Sequence, residues 1–151
     1  MEKEKFAITL DYLFGKGSSN PFPLDRLEFE FSKRTGRVKR VLLDGKLLAT
    51  FREDGSLALT LEGAKWLSKS ENFLKNCVIV KKDVEDEIKK GKSVFAKHLT
   101  YVGERIRVNS EVIILNERRE IIAVGRAKLS HNMMKYFKRG VAVKVREGLW
   151  G

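Results

Sequence analysis

Apolar and polar positions alternate along the first half of the chain. Leu27, Phe29 and Phe31 fall on one face of an extended segment, with Glu28, Glu30 and Ser32 on the other. Turn-forming pairs follow at short intervals: Thr35-Gly36, Asp44-Gly45 and Asp54-Gly55. Asp-Gly suits the tight hairpin turns whose central residues need positive φ. The pattern predicts strands near residues 27–34, 37–43, 46–52 and 56–60, joined as an antiparallel meander. Before them, Phe6, Leu10, Leu13 and Phe14 recur at helical spacing, and GKGSSNPFP ends that helix. After them, LEGAKWLSK reads as a short helix capped by Thr60.

The second half opens on a β-prone run, Cys77 to Val80, and a punctuated helix. Asp83 is placed to cap it. Glu85, Asp86 and Glu87 load its first turn with acid, Lys89 and Lys90 its last with base, and Gly91 can take the left-handed conformation that stops it. Strands are expected over residues 93–99, 111–116 and 121–126. A helix capped by Ser130 and stopped by Gly140 precedes a last strand over residues 141–146. Alternation along residues 94–99 puts Val94, Ala96 and His98 on one face and Phe95, Lys97 and Leu99 on the other. The fold class is an α+β N-terminal domain, helix plus antiparallel meander, over residues 1–75, followed by a mainly-β pseudo-barrel over residues 76–151.

Charge changes the picture. The 151 residues carry 31 lysines and arginines against 20 acids, a net charge of +11. Residues 1–75 hold 14 bases and 11 acids, and residues 76–151 hold 17 and 9, so the second half carries most of the excess at +8. Such an imbalance points to a polyanion, with nucleic acid ahead of an acidic membrane surface. A charged fraction of 34% also suits a charge-rich, heat-adapted proteome. One cysteine, Cys77, excludes an internal disulfide, and two histidines, His98 and His131, give no metal-finger spacing. No metal or cofactor is expected. MEKEKFAITL lacks the layout of a signal peptide, and no apolar run is long enough to span a bilayer, so a cytoplasmic location is expected.

Catalytic signatures are weak. Ser18 and Ser19 have no motif around them, neither histidine lies in a triad context, and GKGSS lacks the spacing of a phosphate loop. The chain alone is not expected to be an enzyme. Basic clusters are more informative. SKRTGRVKR puts Lys33, Arg34, Arg37, Lys39 and Arg40 around a hairpin, where they either block edge-to-edge aggregation or contact RNA. AVGRAKLS carries Arg126 and Lys128, and the next helix carries Lys135, Lys138 and Arg139. Met133, Met134 and Phe137 read as core filler on that helix. Phe95 reads as core before it reads as a stacking surface.

The acidic helix ending in Gly91, then SVFAKHL, EVIILN, IIAVGRAKLS, a short Met-containing helix and RGVAVKVREG together resemble the PUA domain. In the first half, LDYLFGKGSSNPF, SKRTGRVKRV and GKLLATFREDGSLALTLEGAKWL resemble the small domain that precedes PUA in archaeal tRNA-guanine transglycosylase, the archaeosine synthase. The resemblance implies a barrel that binds structured RNA, without the catalytic barrel of those enzymes, which needs far more chain than 151 residues. It implies an RNA face at Gly91, Lys92, Ser93, Val94, Phe95, Ala96 and Lys97, with Arg126, Lys128, Lys144 and Arg146. Lys135, Lys138 and Arg139 adjoin it in sequence, and Lys33, Arg34, Arg37 and Arg40 are secondary candidates. The function expected is standalone binding of RNA such as tRNA, around its acceptor stem. The alternative is an accessory subunit of a separately encoded modification enzyme or of the translation machinery, for which an apolar surface with Phe22 and Leu24 is expected in the first half.

Overall fold

A computed structural model describes residues 1–151, in two compact units, Met1–Phe73 and Leu74–Gly151. In the first, helix α1 (Glu2–Phe14) buries Phe6, Leu10 and Phe14, an i, i+4, i+8 stripe. The four strands β1 (Glu28–Phe31), β2 (Val38–Leu43), β3 (Lys46–Phe51) and β4 (Leu57–Leu59) pair in chain order as an antiparallel meander. Phe6 meets Phe22 and Phe51 edge-on, with ring centroids 5.5 and 6.3 Å apart. Phe22 is only 4% exposed, so it offers no docking patch, contrary to expectation. Phe31 is 49% exposed, because it lies on the edge strand just past a register shift that breaks the alternation. Thr60 caps α2 (Leu61–Leu67) as the sequence predicts, its hydroxyl accepting from the Gly63 N–H at 3.1 Å.

The second unit is a six-stranded mixed sheet curled into a nearly closed pseudo-barrel. Its strands are β5 (Cys77–Val80), β6 (Val94–Phe95), β7 (Leu99–Val102), β8 (Glu111–Leu115), β9 (Ile121–Ala127) and β10 (Val141–Gly148), in the order β6-β10-β9-β8-β5-β7. Only β5 and β8 run parallel; the other pairs are antiparallel. Val78, Val80, Ile88, Val112, Ile114, Ile122 and Val143 form the centre of the core. Two short helices, α3 (Glu85–Lys89) and α4 (His131–Tyr136), complete the unit.

Several predicted boundaries move. Asp83 does not cap α3: the chain enters through a 3-10 turn at Lys82–Val84, so the α-helix starts past it with Val84 at the cap position. Gly91 does stop α3. Its φ is +105°, its N–H donates to the Ile88 carbonyl at 2.9 Å, and the Lys92 N–H reaches the Glu87 carbonyl at 3.1 Å, the paired bonds of a Schellman motif. The single strand expected over residues 93–99 is two. Val94–Phe95 pairs with β10, a 3-10 turn occupies Ala96–His98, and Leu99 begins β7 on β5. This short stretch therefore joins the two edges of the sheet, which a continuous strand could not do. Gly140 does not stop α4, which ends at Tyr136; with φ of +89° it turns the chain into β10 instead.

Candidate nucleic-acid interface

The Schellman turn aims the chain from α3 into β6, and this orders the segment singled out by sequence. Gly91, Lys92, Phe95 and Lys97 are exposed, Ser93 is half-buried, and Val94 and Ala96 are buried. Phe95 is 41% exposed and meets the His98 ring edge-on at 5.9 Å, so the core assignment does not hold. Val94 turns inward and is buried, so Phe95, next along β6, turns outward. Pairing of Val94 with Val143 and of Phe95 with Val141 sets β6 beside β10, whose Lys144 is exposed and stands opposite Arg126 of β9. The Ala96 N–H donates to the Gly140 carbonyl at 3.0 Å, drawing the loop after α4 to the end of β6.

The cations fall into two groups. Lys92, Lys97, Lys128, Lys135, Lys138, Arg139 and Lys144 are all exposed, and none of them makes an ion pair. Arg126 and Arg146 are tied down. The Arg126 Nε donates to the Asn109 carbonyl at 3.2 Å. Arg146 forks onto Glu111, with Nη1 to Oε1 at 3.0 Å and Nη2 on Oε2. Glu111 is 7% exposed and faces Arg126 across the β8–β9 ladder. A buried carboxylate needs a cation, and Arg146 supplies it. A lone acid at the head of the apolar run EVIIL marks Glu111 as needing a partner, but only the strand order shows that the partner is Arg146.

Between β7 and α4 lies a groove of about 670 Å³, lined by Lys75, Tyr101, His131, Met134, Lys135 and Lys138 among others. Lys75 pairs with Glu104 at 3.5 Å on its rim. The His131 Nδ1 is 3.0 Å from the Gly103 carbonyl. Met134 is buried and Met133 half-buried, but Phe137 is 47% exposed and Tyr136 83%, so Phe137 is not core. The helix ends a residue before Phe137 and releases it to the surface. Burial, and after it the neighbouring Lys97, holds the His98 imidazole below its usual range. Burial pushes the Tyr101 phenol up. Tyr101 and Lys75 were not anticipated, since β7 itself was not.

In the first unit, the hairpin arginines border a second groove of about 610 Å³ with Arg34, Arg37, Lys39 and Arg52 on its walls. Arg34 pairs with Glu53 at 2.5 Å and Arg40 with Glu30 at 3.3 Å, while Lys33 and Arg37 are exposed and make no ion pair.

Comparison with known proteins agrees with this architecture. Residues 76–149 match the PUA domain, and residues 7–73 match the patch-forming domain C2 of tRNA-guanine transglycosylase. The tRNA-guanine(15) transglycosylase of Thermococcus onnurineus is 42% identical over 140 residues, covering 92% of this chain and 24% of that protein. That of Methanobrevibacter smithii is 38% identical over 148 residues, covering 97% and 22%. The chain thus spans about a quarter of the length of these relatives. Among solved structures, a hypothetical protein of Pyrococcus horikoshii OT3 superposes with a TM-score of 0.73 at 22% identity, over 99% of this chain and 93% of its own. A conserved PUA domain protein of Thermoplasma acidophilum gives 0.69 at 18% identity, over 97% and 88%. No helix is long and apolar enough to cross a membrane. With one matched region in each compact unit, the chain is a patch-forming C2 domain of the tRNA-guanine transglycosylase type followed by a PUA domain.

Proposed function

We propose that the protein binds structured RNA, with tRNA and its acceptor-stem region the preferred target, and that it does so as a separate protein that handles RNA without carrying the catalyst. One observation carries this reading: seven exposed cations of the PUA unit, from Lys92 to Lys144, have no acidic partner. An unpaired surface cation is held ready for phosphate, and releasing counterions from a nucleic acid drives its binding. The proposed contact face is Gly91, Lys92, Ser93, Val94, Phe95, Ala96 and Lys97 with Lys128, Lys144 and the end of α4 at Lys135, Lys138 and Arg139. Gly91 leaves open space beside the backbone, where a Cβ would meet nothing within 4 Å, so a phosphate can approach the turn closely. Arg126, which stands opposite Lys144, and Arg146 adjoin this face and belong to it, Arg126 held by the Asn109 carbonyl and Arg146 by Glu111. Lys33, Arg34, Arg37 and Arg40 form a secondary face. The relatives' names support tRNA as the target and a link to its modification.

Binding of a tRNA and of a length-matched DNA duplex across a salt series tests this. The triple change Lys92→Glu, Lys97→Glu, Lys144→Glu is expected to weaken tRNA binding by at least about a hundredfold, and to lower the salt slope by about one for each phosphate no longer neutralised. Equal affinity for tRNA and DNA, or an unchanged slope in a folded triple variant, would refute the assignment. A second reading is an accessory subunit that docks on a separately encoded modification enzyme or ribosomal partner. It draws on α1, where Ile8 and Tyr12, one turn apart, are 69% and 81% exposed.

A further inference from the structure

We propose that the groove between β7 and α4 is a binding site for one unpaired nucleotide. It rests on and deepens the RNA reading: it shares Lys135 and Lys138 with the face that would hold a stem, and adds Tyr101 and the outer edge of β7, which that face does not use. Three features coincide in it. Tyr101, at 37% exposure, lines it together with the apolar side chains of Leu99, Val102 and Met134. Lys135 and Lys138 stand on the helix side without acidic partners, placed for the nucleotide's phosphate. The third feature is the strand edge. The Gly103 N–H donates to the Cys77 carbonyl at 2.8 Å, which makes Cys77 and Gly103 a hydrogen-bonded pair of the β5–β7 ladder. Two residues along, Ile79 and Tyr101 are the next such pair, and Val78 and Val102 between them are a non-bonded pair. The Val102 N–H and C=O therefore point away from β5, and no strand lies beyond β7. One donor and one acceptor set side by side match the hydrogen-bonding edge of a nucleobase.

An extended acidic peptide adding to the same edge is the competing occupant. It needs several outward pairs in a row, and β7 offers four residues ending at the Gly103 turn. A single base uses only the one pair and also occupies the ring, which strand addition leaves idle. Stacking on an aromatic side chain tolerates any base, so selection among bases falls to the Val102 backbone.

The test is an amide-resolved NMR titration of the whole chain with each of the four nucleoside 5′-monophosphates, with inorganic phosphate and with an Asp/Glu hexapeptide. Saturable shifts of the Thr100, Val102 and Gly103 amides with at least one nucleotide, absent with phosphate, are expected. Tyr101→Ala should weaken that nucleotide about tenfold or more, and Tyr101→Phe should keep it. Shifts of equal size with phosphate mean an anion site only, and shifts with the peptide alone mean a strand-addition site; either overturns the proposal, as does no shift at millimolar nucleotide. The Lys92/Lys97/Lys144 variant should still bind the nucleotide here. In the unchanged chain, nucleotide shifts at this site without any tRNA affinity defeat the broader reading and spare this one, and tRNA affinity without nucleotide shifts does the opposite.

Discussion

At the scale of single residues, environment decides what a side chain does. His98 sits beside Lys97 in a 3-10 turn and against the Phe95 ring, partly buried. Both burial and the like charge disfavour its protonated form, so its pKa lies below the ordinary value of 6.5. The sign follows from linkage. The unfolded chain takes up this proton first as pH falls, so the contribution of His98 to stability is whole above about 6.5 and is lost as pH falls toward the folded value. An NMR titration is expected to place His98 below 6.5, and Lys97→Ala should move it upward; a midpoint above 6.5 would contradict the burial argument. Cys77 follows the same logic in the other direction, as burial alone pushes its thiol up. Phe95 and Phe137 are the opposite lesson. Each is an aromatic in an apolar-looking stretch, and each reaches the surface, Phe95 on the face of β6 opposite buried Val94 and Phe137 just past the end of α4.

At the scale of elements, the close approach of β9 and β10 is set by a residue without a side chain. A Cβ on Gly125 would lie 2.2 Å from the Lys144 carbonyl oxygen and 2.9 Å from the Val145 Cα. Both are backbone atoms inside a ladder, so neither can move aside cheaply. Gly125→Ala should cost about 1–3 kcal/mol of unfolding free energy, read from a urea midpoint, with Gly36→Ala as a control whose added Cβ meets nothing but whose φ of +72° carries its own smaller penalty. The strain would fall on β9 and β10, which carry Arg126 and Lys144. Loss of RNA affinity in this variant should therefore follow the loss of the β9–β10 amide protection, not precede it.

At the scale of the whole molecule, each compact unit holds its own core. The cluster from Val78 to Val143 lies wholly within Leu74–Gly151, and the Phe6–Phe22–Phe51 cluster wholly within Met1–Phe73. A chain cut between Phe73 and Leu74 should give two pieces that each unfold cooperatively and show dispersed amide spectra; a collapsed, undispersed second piece would show that its core is incomplete alone. The basic excess should travel with that second piece, and so should most of the salt-dependent RNA affinity. Much of this was legible in the linear chain. Alternation around Phe29, together with Asp-Gly at 44–45 and 54–55, settled the meander, since period and turn chemistry are local. The acidic start and glycine end of α3 settled that helix for the same reason, and the net charge needed only counting. What stayed hidden depends on how distant positions meet. The break of residues 93–99 into two strands on opposite sheet edges comes from closing the barrel, which no local signal encodes. The pairing of Glu111 with Arg146 spans two ladders. The groove beside Tyr101 exists only because β7 ends the sheet where α4 crosses it. Sequence by itself determined the element types, the turn positions and the sign of the surface. Tertiary structure alone decided which cations stand free and which are tied to an acid, because that depends on what lies across the sheet and not along the chain.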